Sequence, residues 1–105
     1  MYYLRGDNMK REDFIFAIGF DGNKAIVDKR SRSRYAKLDT RSLADKGFFR
    51  AAYRSSVYES DTASAEYVLE KFNYVSPVKY EKSSDLDKVF GVQPPSDDIT
   101  SVRAV

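Results

Sequence analysis

Cysteine, histidine and tryptophan are all absent from the 105 residues of this chain. Without cysteine there is no disulfide framework and no thiolate nucleophile. Without histidine the commonest general base and metal ligand is missing. The usual zinc ligand sets, haem held by His or Cys, and Ser-His or Cys-His nucleophilic sites are therefore excluded. Long apolar runs are absent too. The longest, "FIFAIGF" over Phe14 to Phe20, falls well short of the roughly 20 residues that cross a bilayer. The leading stretch "MYYLRGDNMKRED" is polar and lacks the layout of a signal peptide. These features lead us to expect a soluble, cytoplasmic protein with no membrane partner. Glycine is scarce, with five scattered copies, and neither GxxxxGK[ST] nor GxGxxG occurs.

The enzyme chemistry that remains would rest on carboxylates or lysine, and no pair stands out. Asp85 and Asp87 sit where a helix starts, which is ordinary dipole complement, and Asp97 and Asp98 sit among prolines near the end. "DGN" at Asp21 to Asn23 lacks the spaced ligands and closing Glu of a calcium loop. We expect no catalytic residue, no cofactor and no metal ion, hence a non-enzyme.

A hydrophobic share of 42%, with 14% aromatic, supplies a packed core and argues against wholesale disorder. At this length one domain is expected. Residues 1–12 read as a flexible lead; within them Met9 opens "MKRED", which looks like an ordinary bacterial start, leaving Met1 or Met9 as the true first residue. Residues 13–92 read as a single α+β domain. From residue 93, "QPPSDDITSVRAV" has two adjacent prolines, two adjacent acids and no pattern, so 93–105 reads as a mobile tail.

Within the domain, Phe14, Phe16, Ile18 and Phe20 alternate with smaller or outward residues, the period of a half-buried strand. Asp21-Gly22-Asn23 supplies turn residues, and Lys24 to Lys29 returns as a second strand. A two-residue turn, at Asp21-Gly22 or Gly22-Asn23, places Ala25 and Val27 on the phenylalanine face. A three-residue turn would set Lys24 and Asp28 against phenylalanine, at the cost of burying charge. A short helix follows in "LDTRSLADKG", with Asp39 or Thr40 as N-cap and Gly47 past its end. Residues 48–59 fit helix or strand, and length favours helix. "DTASAEYVLEKFN" is the clearest helix: Asp61 caps it, Ala65, Val68, Leu69 and Phe72 form its stripe, and Asn73 can end it. "SSDLDKVFGV" reads as one or two turns capped by Ser84 and stopped by Gly91. The expected architecture is an N-terminal antiparallel β-hairpin packed against three to four helices.

What remains is charge. The first 37 residues hold nine Lys/Arg against five acids, a balance of +4, whereas residues 61–105 hold five against eight, a balance of −3. "KRSRSRYAK" concentrates five cations in residues 29 to 37, with Arg30, Arg32 and Arg34 on strict alternation. If the second strand runs straight on, the three arginines line its outer side, and Asp13 falls opposite Arg30 or Arg32 as a cross-strand partner. The candidate anion- or nucleic-acid-binding set is Arg30, Arg32, Arg34, Lys37 and Tyr35. Tyr53 and Tyr58, which flank Arg50 and Arg54, are a secondary aromatic source, although Phe48, Phe49 and Tyr53 are better read as core.

Arg30 to Arg34 also resembles the RxxxR half of the cyclic-dinucleotide-binding PilZ pattern. Its other half, D/N-x-S-x-x-G, is not met, because "DTRSLADKG" sets Ser42 five residues before Gly47 instead of three. No residue role is carried over. The function expected is a small non-catalytic module that binds a protein partner or forms a homodimer through its first strand. The alternative is a module that binds nucleic acid or a phosphate ligand through the arginine row.

Overall fold

A computed structural model of the chain describes residues 10–92, 99 and 101–105. It is an α+β protein, and the residues divide into two units: Met1–Lys37 with Pro95–Val105, and Leu38–Pro94. The part of the lead before Lys10, and residues 93–98 and 100 of the expected tail, lie outside the described residues. No helix among those described is long and apolar enough to cross a membrane.

The first unit opens with α1 (Arg11–Ile15), then β1 (Ala17–Asp21), β2 (Lys24–Val27), α2 (Lys29–Tyr35) and finally β3 (Ser101–Ala104). β1 and β2 are antiparallel, and Asp21 pairs with Lys24, so the turn is the two-residue Gly22-Asn23 form. Gly22 takes φ +61°, a left-handed value that glycine adopts at little cost. Ala25 and Val27 are fully buried, as the two-residue turn requires.

The strand does not, however, begin at Phe14. Phe14 and Ile15 belong to α1, whose first turn carries Glu12 and Asp13. A bulge then falls between Ala17 and Gly19, so Ile18 has no partner in the register. Phe14 and Phe16 are buried, but Ile18 and Phe20 are 56% and 57% exposed. The extra residue takes Ile18 out of register, whereas Phe20 stands opposite the buried Ala25 and is exposed next to the Gly22-Asn23 turn.

Two further departures matter. "KRSRSRY" is helix, not strand, because Asp28 caps it: its carboxylate accepts from the backbone N–H of Arg30 (3.1 Å) and Ser31 (3.4 Å) and from the Ser31 hydroxyl (2.9 Å). In the expected tail, Ser101–Ala104 is a strand parallel to β2, with Ala25 opposite Val102 and Val27 opposite Ala104. The ladder runs on to Val105, whose N–H donates to the Val27 carbonyl and whose carbonyl accepts from Lys29 N–H. Ile99 is buried beside it in sequence. Backbone groups of β2 that β1 leaves open are satisfied in this way.

The second unit is helical: α3 (Thr40–Asp45), α4 (Phe49–Tyr58), α5 (Thr62–Val75), a 3-10 turn (Ser83–Asp85) and α6 (Leu86–Phe90). The α+β class expected is the one found, with six α-helices among the described residues. Asp39 caps α3 by accepting from Ser42 N–H at 2.8 Å, and Asp61 caps α5 through Ser64 N–H and Oγ. Residues 49–58 are helix, as length argued. α5 runs two residues past Asn73, which instead clips the following loop by a reciprocal pair of bonds to the Tyr80 backbone. Ser84 is no cap; Asp85 accepts from Lys82 N–H there, and Gly91 ends α6.

Leu43, Val68 and Leu86 are wholly buried; burying a side chain of this size is worth about 1.5–3 kcal/mol. Phe72 gathers Phe49, Phe90 and Tyr80 around it at centroid separations of 5.3, 5.2 and 6.1 Å. Thr40 Oγ1 donates to Ser55 Oγ at 2.7 Å, which satisfies two buried hydroxyls. Phe48, expected in the core, is exposed.

The capping carboxylates set an acid limit on both units. Asp28 and Asp61 are held below the ordinary aspartate value of 3.8, chiefly by their bonds to Ser31 and Ser64. Asp45 is held below it by the Tyr67 hydroxyl. A carboxyl whose folded pKa is depressed contributes stability above its unfolded value and loses it as pH falls through the folded one. Thermal midpoints should therefore be flat between about pH 5 and pH 9 and drop below about pH 4. Asp61→Ala should lower the plateau and flatten that acid limb; circular dichroism melts across pH would check both.

Candidate nucleic-acid interface

A helix advances about 100° per residue, whereas a strand alternates at 180°. Folding "KRSRSRYAK" as α2 therefore breaks up the row of three arginines. Counting from Lys29, the residues Ser33, Lys37, Arg30 and Arg34 fall within an arc of about 140°. The count runs through Ala36, the C-cap, whose backbone is still α-helical. All five side chains in that arc are exposed.

Arg32 falls outside the arc and turns inward. Its guanidinium donates to Asp13 Oδ1 on α1 at 2.5 Å, with the aspartate side chain 9% and the arginine 30% exposed. Asp13 was expected as a partner of Arg30 or Arg32. The Arg32 pair forms, but between two helices instead of across two strands. Nearby, Arg11 donates to the Ala36 carbonyl at 3.0 Å, satisfying an acceptor at the C-terminal end of α2. These contacts fix which way α2 faces within its unit.

The candidate residues therefore separate. Arg30, Arg34 and Lys37 share one exposed face, joined by Lys29, which the sequence reading had left out. Arg32 is neutralised by Asp13 beside a hollow that it shares with Ser33 and Lys37. Tyr35 is half-buried and lies diametrically opposite the cationic arc, so it offers no stacking surface there. None of Lys29, Arg30, Arg34 and Lys37 is in an ion pair with a described residue. The missed signal was Asp28 with Ser31 three residues on, a cap pattern that would have predicted the helix and hence the 100° spacing.

The secondary aromatic source also falls away. Tyr53 is buried in the second unit and donates to Asp87 Oδ1 at 2.6 Å, and burial first, then that bond, push its pKa up. Arg54 is buried as well. Burial and the neighbouring Arg50 charge lower its pKa to about 10, so it stays protonated at neutral pH.

An open hollow of about 440 Å³ lies beside the Arg32–Asp13 pair and is lined also by Lys10, Glu12 and Lys37. Its charges are mixed, and it holds no activated nucleophile. Among the described residues no group of three or more carboxylates gathers closely enough to hold a metal ion.

The pair's two halves are unequally exposed, and this predicts unequal mutants. Arg32→Ala strands a buried carboxylate and should cost about 2–3 kcal/mol. Asp13→Ala lets the arginine swing to solvent and should cost about 1 kcal/mol. Urea denaturation of the two variants measures the difference.

No family model, no curated protein and no solved structure matches the chain, so its ligand has to be inferred from this surface.

Proposed function

We propose that the chain is a non-catalytic binding module whose working surface is the outer face of α2, and that this face takes nucleic-acid phosphates. The observation that carries the reading is four exposed cations, Lys29, Arg30, Arg34 and Lys37, within one arc of α2 and its C-terminal extension, none of them in a direct ion pair with a described residue. Binding a polyanion needs cations that are clustered and unspent, because affinity comes from releasing the counterions they replace. The one arginine of the row that is neutralised, Arg32, borders this surface at a hollow that Ser33 and Lys37 also line. The unit that holds α2 also carries the basic share of the chain: residues 1–37 balance at +4 and 95–105 at −1, a net of +3.

Fluorescence anisotropy with mixed-sequence nucleic acid is the direct test. If all four cations engage, log affinity should fall against log salt with a slope of about 3–4. Arg30→Ala combined with Arg34→Ala should reduce the slope by about two. Lys82→Ala, in the other unit, should leave it unchanged. Absence of binding at low salt would sink the proposal.

A second reading rests on β1. It is an outer strand of the β1-β2-β3 sheet, and it presents Ile18 and Phe20 to solvent. Outer strands with exposed apolar side chains favour pairing with another chain. On this reading the module joins a second copy, or an extended segment of a protein partner, through β1. Light scattering over a concentration series should then report a dimer that Phe20→Lys converts to monomer. A monomer at the highest concentration would remove the self-association form.

A further inference from the structure

We infer that the α2 face takes double-stranded nucleic acid in preference to single strands, an inference that rests on the phosphate-binding reading above. Three observations point that way. First, the arc itself holds cations and one hydroxyl, Ser33, and no aromatic ring; Tyr35, the aromatic residue of α2, is on the far side of the helix. Single-strand binders draw much of their affinity from bases stacked on aromatic side chains, and this face has nothing to stack on. A flexible strand would have to be ordered there on charge alone.

Second, the cations are held at fixed spacing. α2 is capped at its start by Asp28 and tied by Arg32 to Asp13 and by the Ala36 carbonyl to Arg11. Lys29 to Arg34 spans about 7.5 Å along the helix axis, and Lys37 follows just past the C-cap. A rigid row of cations suits a rigid row of phosphates. Duplex DNA supplies one charge per about 1.7 Å of axis, a higher fixed density than a single strand can offer.

Third, the arc carries no apolar side chain. Helices that lie in a bilayer surface bury an apolar face beside their basic one. Charge alone therefore matches α2 to a polyanion with its phosphates at the surface, and a duplex fits that description better than an anionic membrane.

The full chain would be titrated at low salt with a labelled mixed-sequence DNA duplex, with each of its separated strands, and with anionic phospholipid vesicles. The expected result is affinity for duplex at least about threefold above either strand, reduced for both by Arg30→Ala with Arg34→Ala. Those positions are exposed, so the variant should keep the parent's circular dichroism spectrum. Strands bound as tightly as duplex would overturn this inference and leave the phosphate-binding reading standing. Binding to neither, or to vesicles alone, would overturn both.

Discussion

The Asp28 carboxylate decides what the most basic stretch of the chain becomes. At the end of β2 the backbone can run on extended or turn into a helix, and the first N–H groups of a helix need acceptors. Asp28 supplies them to Arg30 and Ser31 and holds the Ser31 hydroxyl as well. Once the helix starts, residues 29–37 are spaced by 100° instead of 180°, and the identity of the cationic surface follows from that angle. A strand would have offered Arg30, Arg32 and Arg34 together. The helix offers Lys29, Arg30, Arg34 and Lys37 and gives Arg32 a partner.

That partner settles the division of labour among the basic residues. Asp13 is nearly buried, and a buried carboxylate is stable only when matched by charge and hydrogen bonds. Arg32 provides both at 2.5 Å. The pair joins α1 to α2, so the side of α2 that carries Arg32 is committed to structure. The cations on the other side are left for solvent or a ligand. β3 contributes from the far end of the sequence: Val105 accepts from Lys29 N–H and so takes up a backbone donor in the first turn of the same helix.

Much of the second unit was legible in the sequence. Asp39, Asp61 and Gly91 punctuate helices where side-chain chemistry says they should, and the Ala65, Val68, Leu69, Phe72 stripe faces inward as its spacing implies. Those signals are local, within a turn or two of the residues they govern. The first unit was less legible because its elements are short. The end of α1, Phe14 and Ile15, hides inside an alternation that runs from Phe14 to Phe20, and a bulge takes Ile18 out of the register of that alternation. β3 is four residues long and lies more than seventy residues from its partner β2 in sequence. Its alternation of Ser101 and Arg103 with Val102 and Ala104 is too brief to stand out until the partner is known.

By itself the sequence determined the chemistry open to this protein. It has no thiol and no imidazole, and it gathers its cations near the N-terminus. It also determined the hairpin turn, since Gly22 and Asn23 suit a two-residue connection and charge is costly to bury against phenylalanine. Only the tertiary structure decided which cations belong to the exposed face of α2. The choice depends on the angle at which α2 presents each side chain and on Asp13, seventeen residues upstream of Arg30, reaching Arg32 instead. Pairing of that kind depends on distances in space, which the order of residues does not contain.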